Sequence, residues 1–414
     1  MNLWYALNYD EDCRKLMNHP ANMPFSGLRI IDLSQIYNGP YATYLMALEG
    51  AEVIKVEPPA GEPLRKRAVV GGAGLPFAML NGAKRAITLD LKSEEGKQAL
   101  MELADKADVL VENFSPGVMD RLGLGADVLQ QRNPRLIYAA SSGYGRDGPY
   151  KAYPAMDLTM QAMSGAMYVT GFPDREPVKC GPAIADFFAG IHLYGAIVTA
   201  LFERERTGVA RRVEVTMQDS IYASLSSNFG LAWSKGSDAE FARTANRHGG
   251  LAECPYNVYP TADGHIALIC ARDEHWHRLA ELMGKPELAH DERYYTLKER
   301  VARMDEVDAL VSAWTATLQT DEVFDLLMSA RIACAPVRTL DQVMVDENML
   351  ARGSLIQVDH PQYGRITVQQ TPFRLGGAPL RDPEPSEMLG QSTEDILSEL
   401  TGLDATQIAR AAGR

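Results

Sequence analysis

The chain has 414 residues, 46% hydrophobic and 23% charged, which is enough apolar content to bury the cores of two or three domains. Its 54 acidic residues outnumber 41 basic ones, a net charge of −13. That balance excludes broad electrostatic attraction to nucleic acid or an anionic membrane, so an anionic ligand needs a local basic site. The five cysteines, Cys13, Cys180, Cys254, Cys270 and Cys334, are odd in number and form no CxxC pair. They read as reduced thiols, and no metal site is expected. The first twenty-odd residues carry Tyr9-Asp10-Glu11-Asp12 and no apolar signal segment, and Arg204 and Arg206 end the longest apolar run. A cytoplasmic location is expected.

Residues 1–23 read as an extension closed by Pro20 and Pro24. From there short apolar strands alternate with helical stretches. Strands are expected at Leu28–Leu33, Glu52–Glu57, Ala86–Leu91, Val109–Asn113, Leu136–Ala140 and Arg211–Thr216. Gly39-Pro40 opens a helix ending at Gly50, and Ser93 caps another that runs to about Ala107. Short apolar strands separated by helices argue for a parallel α/β sheet, whose ligands bind at the carboxyl ends of the strands. Gly143-Tyr144-Gly145-Arg146-Asp147-Gly148 satisfies G-x-G-x-x-G and follows a strand. Pro149-Tyr150-Lys151 comes next rather than a helix start, so these glycines read as turn chemistry and not as a dinucleotide site. Beyond Trp233 the chain changes character. A polar, glycine-rich linker at 234–250 leads to a hairpin around Asp263-Gly264 and helices near 273–284, 298–318 and 321–330, an α+β unit. Residues 335–375 read as extended and 391–412 as helical.

One stretch stands apart. Ala185-Asp186-Phe187-Phe188-Ala189-Gly190-Ile191-His192 opens a helix to about Arg206 that is apolar and small on most sides, the pattern of a buried helix. Its first turn carries a single carboxylate, Asp186. An aspartate there is ordinarily a cap; the sharper reading is a reactive carboxylate shielded from water. His192, six residues on, does not share the i+3 or i+4 face of Asp186 and reads as structural.

The ordered set of short motifs decides between these readings. Gly27-Leu28-Arg29-Ile30-Ile31-Asp32-Leu33, Gly39-Pro40, Gly50-Ala51-Glu52-Val53-Ile54-Lys55-Val56-Glu57, Asn81-Gly82-Ala83-Lys84-Arg85 and Ala107-Asp108-Val109-Leu110-Val111-Glu112-Asn113-Phe114 stand in the N-terminal half. Asn133-Pro134-Arg135-Leu136-Ile137-Tyr138, Gly143-Tyr144-Gly145, Cys334-Ala335-Pro336-Val337 and Ala351-Arg352-Gly353 follow. Together they resemble the class III CoA-transferases, the family of formyl-CoA transferase and carnitine CoA-transferase, over nearly the whole chain from Leu28.

The resemblance implies a Rossmann-like large domain, a smaller α+β domain and an interlocked, ring-like homodimer. The large domain would comprise 24–225 and the returning segment 336–414; the small domain with its linkers would comprise 226–335. Asp186 occupies the position of the family nucleophile. CoA contacts are implied at Tyr37, Asn38, Leu89, Asp90, Lys92, Asn113, Phe114, Ser115, Arg121, Met156 and Asp157, with Lys84 and Arg85 as further nearby cations. Position 58 is proline where formyl-CoA transferases carry an arginine, so that contact is not carried over. Gly249 and Gly250 stand where the family's longer glycine loop approaches the substrate, and Arg247, His248 and Tyr256 are candidates to read an acceptor carboxylate. No permanently bound cofactor is implied; acyl-CoA is a substrate, and a small dicarboxylate or hydroxy-dicarboxylate is the expected acceptor. Two rivals remain. One is an isomerase of the same fold, moving CoA within one dicarboxylate or epimerising a 2-substituted acyl-CoA. The other is a CoA-binding protein without turnover. Racemases of this fold use a His-Asp pair where this chain has Met156-Asp157, and methionine accepts no proton.

Overall fold

The computed structural model describes residues 23–67, 74–235, 243–376 and 379–414. The expected extension at 1–23, except its last residue, and residues 236–242 of the expected linker lie outside the described residues. The chain divides into two compact units. The first holds residues 23–160, Ala183–Ile221 and Met344–Arg414; the second holds Gln161–Pro182 and Tyr222–Val343. Gln161–Pro182, expected in the large domain, therefore groups with the second unit. Its ends close on one another: Gln161 accepts the Cys180 N–H at 2.8 Å and donates to the Pro182 carbonyl at 3.3 Å.

The first unit is built on six parallel strands: β1 (Arg29–Asp32), β2 (Glu52–Glu57), β3 (Arg85–Thr88), β4 (Val109–Glu112), β5 (Ile137–Ser142) and β6 (Arg212–Thr216). Their order is β3-β2-β1-β4-β5-β6, a doubly wound sheet. Side chains alternate across a strand, so a sheet covered on both faces needs unbroken apolar runs. Ile31, Ile54 and Leu110 pack on one face beneath helices Glu94–Asp105, Thr393–Leu400 and Ala405–Ala411. Their neighbours Ile30, Val53 and Val109 pack on the other beneath α1 (Asn38–Leu48) and α2 (Ile184–Thr207). Ser93 caps its helix as expected, accepting the Gly96 N–H.

α2, expected to be a buried helix, is buried on its inner face only. By length and composition the helix could cross a membrane. Leu193 and Ile197 are fully buried against the sheet, and Arg204, itself buried, pairs with Asp108 at 2.9 Å. Ile191 and Phe202 face outward and are 47% and 63% exposed. Small residues on the inner face set how closely α2 approaches α1. A Cβ on Gly190 would stand 2.7 Å from the Asn38 carbonyl oxygen and 3.3 Å from the Tyr41 ring. Gly190→Ala is therefore expected to cost about 1–3 kcal/mol despite alanine's better helix propensity. Urea unfolding checks the cost, and activity should fall with it because the two helices carry Asn38 and Asp186.

The second unit is α+β. Strands β7 (Tyr256–Pro260), β8 (His265–Ile269) and β9 (Ala333–Pro336) form an antiparallel sheet, with the expected hairpin turning at Asp263-Gly264. Its core gathers Trp276, Leu279, Val307, Val311, Val323 and Leu327. The C-terminal segment adds an antiparallel hairpin, β10 (Leu355–His360) and β11 (Gly364–Gln369), to the first unit.

Candidate active site

A doubly wound sheet opens a crevice where its strand order reverses, at the carboxyl ends of the two central strands. Here those strands are β1 and β4. The loops that leave them are knitted together by Asn113. Its Oδ1 accepts the Gln35 N–H at 2.8 Å, and its Nδ2 donates to the Gln35 carbonyl at 2.8 Å and to Asn38 Oδ1 at 2.7 Å. A cavity of about 250 Å³ lies against these loops. The end of β5 and the segment carrying Ala155 and Met156 close it, and Asp186 lines it. Ile36, also in the lining, is held at φ +66°, a strained conformation for a β-branched residue.

Asp186 sits in the first turn of α2 but does not cap it. The N-cap is Ala183, which makes no side-chain cap bond. The cap comes instead from Asp157, whose Oδ1 accepts the N–H of Ala185 at 2.9 Å and of Asp186 at 3.4 Å. Among the described residues, no protein donor reaches the Asp186 carboxylate, which is only 7% exposed. Burial, with the Asp157 charge adding to it, pushes the Asp186 carboxyl up to about 7. Next to it Phe187 stacks on Tyr37, ring centroids 5.9 Å apart. Burial and the nearby Asp186 charge push the Tyr37 hydroxyl up, so it stays a proton donor at neutral pH. Ser141 adds a buried hydroxyl on the cavity lining that finds no partner among the described residues.

The loop after β1 is fixed from beneath by a buried charge network. Asp32 is fully buried, and its Oδ2 lies 3.0 Å from Lys84 Nζ and 3.8 Å from Lys55 Nζ. Thr43 donates to the same oxygen at 2.7 Å, and Ser34 donates to the other. Burial alone would raise the Asp32 pKa; the two lysines and two hydroxyls more than offset this and hold it well below the carboxylate range. Lys84 also donates to the Pro40 carbonyl at 2.9 Å and to Asn81 at 3.0 Å. The network thus pins the turn that delivers Tyr37 and Asn38.

Residues 25–393 match the family described as CoA-transferase family III. The chain belongs to this family. It is 34% identical over 395 residues to the formyl-CoA:oxalate CoA-transferase of Streptomyces coelicolor, covering 91% of this chain and 95% of that one. It is 33% identical over 397 residues to the succinate–glutarate CoA-transferase of Agrobacterium fabrum, covering 92% and 97%. Among solved structures, a CAIB/BAIF family protein from Brucella suis is similar at a TM-score of 0.80 and 33% identity, over 91% of this chain and 99% of that one.

Within this CoA-transferase, Asn38, Asn113, Phe114, Ser115 and Met156 line the cavity together with Asp186. Tyr37 and Asp157 stand behind Asp186 rather than in the lining. Leu89, Asp90, Lys92 and Arg121 do not line it. Leu89 is buried in the sheet core, and Asp90 accepts the Lys92 N–H at 3.0 Å. Lys92 and Arg121 are exposed and have no ion-pair partner among the described residues, which leaves both available to phosphate. Lys84 is corrected: it is buried in the Asp32 network and unavailable to a phosphate. Arg85 pairs with Glu52 at 3.6 Å.

Gly249 and Gly250 lie in the second unit, close to Asn228 and His248. Arg247 is not free to read an acceptor, because it pairs with Asp305 at 2.6 Å and Asp308 at 2.7 Å. A larger cavity of about 400 Å³ lies on the second unit's sheet, but among the described residues its lining holds no carboxylate or basic side chain. Its Cys334 thiol is pushed up to about 11 by burial, which leaves it unreactive. Sequence reading missed Gln35, Ile36, Ser141, Ser142, Gly143, Ala155 and Met217 in the main cavity. The available signal was positional: three of them, Ser141, Ser142 and Gly143, stand at the carboxyl end of β5.

Proposed function

We propose that this protein moves CoA from an acyl-CoA donor to a carboxylic acid acceptor, with Asp186 as the nucleophile. The observation that carries the reading is a buried carboxylate without a protein donor, at a helix start, facing a cavity at the switch point of a family III CoA-transferase. An Asp186 oxygen attacks the donor thioester carbonyl; the C–S bond breaks, giving a mixed anhydride and CoA thiolate. The thiolate attacks the aspartyl carbonyl and releases the donor acid, leaving an aspartyl-CoA thioester. The acceptor carboxylate attacks that thioester, and the freed thiolate then takes the acyl group from the second anhydride and restores Asp186. No net proton, electron or metal is consumed. Ser141, whose buried hydroxyl lines the cavity, is the neutral donor we assign to the developing oxyanions, and the recessed cavity limits water's access to the anhydrides. Lys92 and Arg121 would hold the CoA phosphates.

The names of the relatives, an oxalate and a succinate–glutarate transferase, support a small dicarboxylate as acceptor. The interlocked homodimer and the cytoplasmic location belong to the same reading. Met156, 50% exposed on the cavity lining, offers no base for an α-proton, which favours transfer over epimerisation. The test is a matrix of acyl-CoA donors and dicarboxylate acceptors. A new thioester should form only when a separate acid is added. Incorporation of α-deuterium from heavy water, with no acceptor-dependent product from any pair, would sink the reading.

The reaction should also carry a signature in pH. Asp186 must be ionised to attack, so kcat/KM for the donor is expected to rise through pH of about 7 and level off above it. Asp157→Asn keeps an oxygen to cap α2 but removes the repelling charge. It is expected to move that rising limb to lower pH, though not to the ordinary aspartate range, because burial remains. A pH–rate profile of both proteins checks the direction.

A further inference from the structure

The G-x-G-x-x-G segment has a role that dinucleotide binding does not supply. Gly145, at φ +96°, turns the chain after β5 and donates its N–H to Ser142 Oγ at 3.0 Å. The turn sets Arg146 against the ends of β4 and β5 and the middle of β6. Its Nη1 lies 3.4 Å from Glu112 Oε1 at the end of β4, and its Nη2 lies 3.0 Å from Asp120 Oδ2 in the short helix Val118–Arg121. Its backbone N–H donates to Glu214 of β6. Glu112 is 4% exposed; its other oxygen accepts the Phe114 N–H at 2.8 Å, and Tyr138 donates to Oε1 at 3.3 Å. Phe114 and Ser115 form one wall of the Asp186 cavity, and Ser142 and Gly143 form part of another.

We propose that Arg146 is a positioning residue that clamps the β4 loop to the β5 loop. It thereby sets the separation of the two cavity walls and the placement of the helix that carries Arg121. The proposal rests on the CoA-transferase reading for its substrate, an acyl-CoA. A guanidinium suits the task because its rigid planar fork presents Nη1 and Nη2 to two separate carboxylates, whereas an ammonium offers its donors from a single point on a flexible stem.

The test compares Arg146→Ala, Arg146→Lys and Asp120→Asn in the full-length protein, by calorimetric titration with CoA and by donor kinetics. Arg146→Ala is expected to raise the CoA Kd and the donor KM about tenfold while kcat stays within about threefold. Arg146→Lys should recover part of that loss, and Asp120→Asn should raise KM by about twofold. Wild-type CoA affinity in a folded Arg146→Ala protein would overturn the clamp. So would an equal fall in kcat and kcat/KM, which would place Arg146 in the chemical step or in folding alone. If Arg146→Ala does not fold, unchanged KM in both other variants overturns it. Wild-type protein that binds CoA but turns over no donor would defeat the transferase reading, and the Kd ratios would still decide the clamp.

Discussion

Asp186→Asn is expected to abolish CoA transfer, by roughly 10⁴-fold or more, and to make the protein more stable at neutral pH. The two effects share a cause. The native carboxylate is buried without a donor and beside Asp157, and its pKa is pushed up to about 7. An unfolded chain releases that proton near pH 4, so between pH 4 and 7 the native state holds a proton that the unfolded state has lost. Stability therefore falls as pH rises through this window, and above it the full cost is present. Asparagine cannot ionise and removes the cost. The gain is on the order of 2–4 kcal/mol above pH 7 and vanishes near pH 4. Thermal unfolding of both proteins at pH 4 and pH 8 checks it. An inactive variant no more stable than the parent at pH 8 would mean that Asp186 is solvated in solution.

The opposite stability effect is expected at Asp32. Asp32→Asn leaves Lys55 and Lys84 buried together without their carboxylate, a change worth about 3–5 kcal/mol of destabilisation. The sign with pH is also opposite. The pKa of Asp32 is held below its unfolded value, so its contribution is fully present above pH of about 4 and is lost only as acid titrates the folded group. Denaturant unfolding at pH 7 and pH 3 should show the variant's deficit at both, smaller at the lower pH. Activity should fall as well, since Ser34, Thr43 and Lys84 fix the turn leading to Asn38.

Much of this site was legible in the sequence because parallel sheets are buried on both faces. The apolar runs at Ile30-Ile31, Val53-Ile54 and Val109-Leu110 mark the strands, and a strand's end marks the place of its loop. The position of Asp186 in the first turn of α2 was legible from the apolar run it opens. The capping of α2 by Asp157 was not, because it joins residues nearly thirty positions apart. Lys84 illustrates the same limit. As a sequence neighbour of Arg85 it reads as a surface cation, and only the fold shows it buried under α1. The exposed face of α2 was misjudged because Ile191, Gly195 and Phe202 are as apolar as the residues that pack on the sheet, and periodicity carries no contrast when both faces are apolar. Arg146 was hidden by its own motif, since its flanking glycines read as turn chemistry and its partners Glu112 and Asp120 lie 34 and 26 positions away.

In the proposed reaction Asp186 becomes acylated and then carries CoA. The most direct measurement is to incubate the protein with succinyl-CoA, trap with hydroxylamine or borohydride, and locate the modified peptide by mass spectrometry. Modification is expected on Asp186 in the Ala185–His192 segment, and none in Asp186→Asn. An active enzyme that transfers CoA between acids while Asp186 remains unmodified under trapping would contradict it.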